Sequence, residues 1–268
     1  MNVFDFQAFS PAQIAEKVDA IGVAKARMPL LAVVMLGIVA GGFIGLGALY
    51  YTIVVSDAQL TFAASRVLGG LVFSLGLILV VVAGAELFTG NNLLVMAWAD
   101  KKISTAELLR NWILVYVANG FGAVSLAVIV YLSNHGAMND GAVATKYVQI
   151  AEGKMALSFV AAFFKGVLCN LLVCLAVWLA LAGHSVADKI LAIVFPISAF
   201  VAAGFEHSVA NMYFIPLGLL YSGAEIAQWG KFLLSLIPVT LGNIVGGSVL
   251  VAAVYHLIYN RALRKPSQ

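Results

Sequence analysis

The sequence predicts an all-α membrane protein with six transmembrane helices, built as an inverted 3+3 repeat whose second and fifth helices are broken. Three observations point there. Of 268 residues, 63% are hydrophobic and 10% charged, against about 25% charged in an ordinary soluble domain, and mean hydropathy is +1.02. Apolar runs of about 20 residues, the length of a helix crossing a bilayer, recur six times. Two polar interruptions within those runs, Gly84–Asn92 and Gly204–Met212, share one pattern.

The runs fall near 29–54, 67–98, 109–133, 156–182, 189–220 and 232–259. Backbone polar groups in lipid must be satisfied within the segment, which selects helices, and the alternation of a membrane barrel is missing. The chain then divides into an amphipathic segment 1–28, a single transmembrane domain 29–260 and a tail 261–268. Repeat one covers about 29–133 and repeat two about 156–259. In the first segment Ser10-Pro11 reads as an N-cap and first helical residue, and Ile14, Val18 and Ile21 share a stripe. That helix either lies on the membrane surface or gates a pore mouth. Charges scattered through 1–28 leave no apolar core for a cleavable signal peptide. Cys169 and Cys174, five apart in one apolar run, face different ways on a helix, so no disulfide joins them. No metal or other cofactor is expected.

Ten basic residues (Lys17, Lys25, Arg27, Lys101, Lys102, Arg110, Lys189, Arg261, Arg264 and Lys265) flank one side of the spans. Arg66, Lys146, Lys154 and Lys231 flank the other, and Lys165 lies inside a span. The positive-inside rule places both termini in the cytoplasm. The small net charge of +3 sits at segment ends and reads as topology, not as a nucleic-acid surface.

Residues 83–91 and 203–211 match at Ala, Gly, Glu and Asn, and Gly76 aligns with Pro196, both helix weakeners. Asn119 and Gly122 pair with Asn243 and Gly246 at a similar offset. A three-span unit repeated in one chain must invert across the membrane, and such architectures place a substrate path between halves, lined by discontinuous helices. His207 is the one histidine inside a break. It could bind an anion as imidazolium, donate a hydrogen bond or proton to a weak acid, or be structural. Thr89 could bond an oxyanion or His207, or cap a helix. Glu86 and Glu206 would repel anions and are expected to accept backbone N–H bonds from their own breaks. Lys165, eleven residues after Lys154, is expected on the same helical face.

Gly84–Gly90, Cys169–Trp178, Gly204–Met212 and Pro238–Asn243 closely resemble the formate/nitrite transporter family, and the similarity runs across nearly the whole chain. The resemblance implies an aquaporin-like protomer, a homopentamer, and one path per protomer for small monovalent anions, with protons as partners. It implies path residues His207, Thr89, Asn170, Val173 and Asn243. It implies apolar constrictions from Phe73, Leu77, Leu87, Phe88 and Phe200, and a vestibule cation at Lys154. Lys165 fits the nitrite-type branch better, whereas the N-terminal segment and 73–79 look formate-type. Formate is the first expectation, with nitrite or hydrosulfide as alternatives in the inner membrane. A neutral-solute pore would explain the broken helices, but paired Asn-Pro-Ala motifs are missing. An enzyme would need a nucleophile with its base, or a metal cluster.

Overall fold

Ser10 opens the first helix through a capping box. Its hydroxyl accepts from Gln13 N–H, and the Gln13 side chain accepts from Ser10 N–H. The structure, a computed structural model, describes residues 8–262. Residues 1–7 of the predicted amphipathic segment, and 263–268 of the tail with Arg264 and Lys265, lie outside the described residues. Helix α1 (Pro11–Ala26) buries Ile14, Val18 and Gly22, while Ile21 of the predicted stripe is exposed. The buried face is seated on protein: a Cβ at Gly22 would lie 3.1 Å from Ala97 Cβ.

Six helical segments are long and apolar enough to cross a membrane. The first is α2 (Leu30–Val55). The second comprises α3 (Phe62–Phe73), α4 (Leu75–Ile78) and a π-helical turn, Leu79–Gly84. The chain leaves helical geometry at Ala85 and resumes as a 3-10 turn, Gly90–Leu94, leading into α5 (Val95–Ala99). The third span is α6 (Thr105–Leu132) and the fourth α8 (Phe159–Ala182). The fifth is α9 (Val186–Ala203), followed by a break and α10 (Ser208–Ser222). The sixth is α11 (Ile226–Ile244), which continues as π-helical stretches Val245–Ala253 and His256–Ala262.

All six expected spans are present, and both breaks fall where the pattern put them. Two local expectations differ. Pro196 sits inside an uninterrupted α9. On the other half the helix is interrupted at Ser74, whose hydroxyl bonds back to Gly70 O and across to Val194 O, each at 3.3 Å. The stretch between spans three and four is also no plain loop. It holds α7 (Ala142–Met155), with Val143, Tyr147 and Ala151 buried at i, i+4 and i+8.

The two halves are framed alike. Helix α2 crosses α6 where Gly41 and Gly122 let the backbones touch, and α8 crosses α11 and its π-helical continuation at Gly242 and Gly246. Side chains there would collide with main chain, so glycine sets these crossings. Helix α10 lies in the middle of the molecule, with every residue from Ser208 to Leu219 buried. That is tolerable for a half-crossing because protein, not lipid, surrounds it.

Candidate functional site

Each break begins at a glycine in the left-handed region, Gly84 at φ +86° and Gly204 at φ +73°, which a Cβ would strain. One asparagine then clamps each loop. Asn119 Nδ2 donates to Gly37 O and Glu86 O, both at 2.8 Å, and its Oδ1 accepts from Phe88 N–H at 2.9 Å. Asn243 repeats this with Gly166 O at 2.9 Å, Glu206 O at 3.0 Å and Ser208 N–H at 2.9 Å. Its polar atoms are therefore spent on backbone, and Asn243 serves as a scaffold beside the path.

Glu86 and Glu206 hold their loops differently from expectation. Glu86 accepts from Asn91 Nδ2 at 2.7 Å and pairs with Lys25 at 3.0 Å. Glu206 accepts from Asn211 Nδ2 at 2.8 Å and pairs with Lys154 at 2.9 Å. These partners are side chains, not the expected backbone N–H groups. A carboxylate buried at this depth needs a cation, and each half supplies one from the helix that precedes it, α1 or α7.

Between the breaks runs a pinched path. A cavity of about 260 Å³ on the Lys154 side reaches Phe73, Phe200 and His207. One of about 360 Å³ on the α1 side reaches Leu77 and Leu87. A void of about 10 Å³ separates them, lined by Ile44, Phe73, Leu77, Leu87, Val173, Ile197, Phe200 and His207. That is barely room for one water. Phe73 and Phe200 meet edge to face at 5.7 Å between centroids, forming one collar; Leu77 and Leu87 form the other. Phe88 does not join them. Its ring packs edge-on against Tyr116 at 4.9 Å and Trp112 at 6.1 Å, facing α6. Ile44 and Ile197 complete the neck, and sequence alone gave no reason to separate them from other apolar span residues.

His207 is the N-cap of α10. Its Nδ1 accepts from Ala210 N–H at 3.0 Å, and its Nε2 lies 2.9 Å from Thr89 Oγ1. Protonating Nδ1 would set two N–H groups against each other. The arrangement thus holds a neutral ring with hydrogen on Nε2, donated to Thr89. Thr89 is fixed from behind by its carbonyl, which accepts from Asn170 Nδ2 at 3.2 Å and Cys174 Sγ at 3.3 Å. Asn170 also donates to Asn243 O at 2.6 Å. Both cysteines are free and buried.

Lys154 and Lys165 both line the cavity on their side, but not as two positions on one helical face. Lys154 ends α7 and Lys165 sits in α8, so tertiary packing, not helical spacing, brings them together. Lys25 and Arg66 also reach the cavities, although the sequence presented them only as flanking charges. On the α1 side, Asp19 and Asp100 share Lys102, at 2.7 and 3.3 Å. They also share Asn260, at 2.8 and 3.1 Å. Burial raises the Asp19 carboxyl above its usual range. Among the described residues no cluster of His, Cys, Asp or Glu could hold a metal.

Residues 12–257 match the family described as Formate/nitrite transporter. The chain belongs to that family. Members are channels and transporters, not enzymes, and the protein is accordingly a multi-pass membrane protein. It is 42% identical to the uncharacterized transporter YrhG of Bacillus subtilis (strain 168), over 94% of each chain. It is 37% identical to the formate channel FocA of Escherichia coli (strain K12), over 96% of each. A solved pentameric formate channel with formate bound superposes with a TM-score of 0.78 at 39% identity, covering 87% of this chain and 98% of that one. The fold of this formate/nitrite transporter family member is thus that of its solved relatives.

Proposed function

We propose that this protein is a channel for small monovalent anions, formate foremost. It works as a homopentamer in the cytoplasmic membrane, with both termini in the cytoplasm and one path per protomer. The observation carrying this reading is the neck: two apolar collars, with His207 lining the void they enclose and Thr89 hydrogen-bonded to that histidine. A hydrated ion is too large for a void of about 10 Å³, and a bare charge there costs several kcal/mol or more. The substrate must therefore be small, shed its water and exchange hydrogen bonds at the pair.

Thr89 supplies that exchange. Because its Oγ1 accepts from His207 Nε2–H, its own hydrogen is left for an incoming oxygen. The histidine polarises the hydroxyl and holds its direction. Surrendering the Nε2 proton would leave an imidazolate. The pair therefore lends a hydrogen bond, and any proton that crosses enters with the substrate as a weak acid. The FocA relatives and the formate-bound pentamer support formate as the first substrate to try.

The test is uptake of formate, nitrite, hydrosulfide and glycerol into proteoliposomes, with and without a proton gradient. Formate uptake exceeding that of glycerol is the expected result. Glycerol permeation without anion flux would sink the reading.

A further inference from the structure

The inverted repeat lets the two mouths be compared position by position. Lys25 and Lys154 are equivalent, each pairing with the glutamate of its break. Glu86 N–H donates to Leu36 O at 3.2 Å, and Glu206 N–H to Lys165 O at 3.3 Å. Leu36 and Lys165 are thus the same position in the two halves, and each lines its own cavity. Arg66 lies as far before Glu86 as Val186 lies before Glu206. Where the α1-side cavity carries Leu36 the Lys154-side cavity carries Lys165, and the sequence register sets an uncharged valine, outside the α1-side cavity, opposite Arg66.

The charges follow. Among the described residues the only charged groups lining the α1-side cavity are Lys25 and Glu86, a neutral pair. The opposite cavity has the neutral pair Lys154 and Glu206, plus Arg66 and Lys165. Among the described residues neither of these last two has an acidic partner. Arg66 is held in place by Nε, which donates to Ala202 O at 2.8 Å. Its guanidinium lies across Gly204, where a Cβ would sit 2.5 Å from Nη2. That leaves the terminal N–H fork available to the cavity.

From these differences we infer that Arg66 and Lys165 form an anion-capture site at one mouth only, suited to a planar two-oxygen anion such as a carboxylate. A guanidinium fork matches two oxygens of one anion, and the lysine adds a second charge in a low-dielectric recess. Such a recess raises encounter rates by about 10- to 1,000-fold. The site makes the mouths kinetically unequal: substrate is collected at low concentration from the Lys154 side, whereas entry from the α1 side relies on bulk concentration. The inference rests on the channel reading above and adds to it a sidedness and a recognition chemistry.

The experiment compares initial formate influx into right-side-out and inverted membrane vesicles containing the full chain, for the native protein, Lys165→Leu and Lys165→Arg. Leucine is the residue that the other half already carries at this position, so the variant copies a mouth the fold tolerates. Lys165→Leu is expected to raise the half-saturating formate concentration about tenfold from the Lys154 side only, and to flatten its salt dependence. Lys165→Arg is expected to behave as the native protein. Equal changes from both faces, or no change, overturn the site. A thermal-shift arm in detergent decides separately: formate should raise Tm of the native protein more than that of Lys165→Leu, and equal shifts overturn the site. If the native protein carries no formate from either face, the channel reading fails, and the thermal arm still rules on the site.

Discussion

The two ring nitrogens of His207 meet different partners, and this separates a structural duty from a chemical one. Nδ1 caps α10 through Ala210 N–H, and Nε2 orients Thr89. Losing a cap costs about 1 kcal/mol, so His207→Ala mixes both effects. Asn is a good N-cap and does not reach as far as imidazole. His207→Asn should therefore assemble like the native protein, while formate flux falls at least tenfold and its pH profile changes. Unchanged flux and profile in proteoliposomes would remove Nε2 from the mechanism. At this scale the sequence was informative where chemistry is rare: one histidine and one threonine in two matched breaks. It was uninformative where backbone angles decide. Phe88 sits between Leu87 and Thr89, yet turns to Tyr116 and Trp112. Only the path of the broken segment reveals that.

Helix α1 shows how a charge cluster can set the position of an element. Asp19 is 3% exposed and meets Lys102 and Asn260, with Asp100 and His256 adjoining them. Burial raises the Asp19 carboxyl when the helix is docked, whereas an undocked carboxyl titrates near 3.9. A group that holds its proton more tightly when docked makes protonation and docking favour each other. Docking should therefore strengthen as pH falls through the raised value, and weaken above it as a charge must be buried. A spin label on Ile21→Cys, with native cysteines buried, should become less mobile as pH is lowered from neutral toward the undocked carboxyl value. Asp19→Asn should abolish that response, and release of the helix on acidification would reverse the account. The spans were legible because lipid demands long apolar runs. Helix α7 was not, since its stripe of Val143, Tyr147 and Ala151 is interleaved with Lys146, Glu152 and Lys154. The π-helical end of the last span carries no composition signal either.

Across the whole molecule, the repeat is deeper than the matched motifs suggested. It includes glutamate–lysine pairs, glycine crossings and two clamps, Asn119 and Asn243. Each clamp satisfies three backbone groups, and stranding a buried group costs about 1–3 kcal/mol. Asn119→Ala and Asn243→Ala should therefore each destabilise the protein by about 3 kcal/mol or more, with similar drops in thermal midpoint in detergent. A large drop for one and none for the other would mean that the halves do not share the load. The asparagine pair was visible in the sequence as a repeat marker. Its role was not, because its partners lie 31 to 82 residues away in the first half alone.

The burial of α10 also constrains how the protein can be made. A half-crossing with Asn211 and Tyr213 on its surface, and the free backbone groups of a broken end, cannot rest in lipid by itself. Its neighbours α2, α6, α7 and α11 arrive on both sides of it in the chain, the last after it has left the ribosome. Biogenesis must therefore hold this segment back until its cradle is complete, so the part of the chain that carries the histidine is the last to find its place.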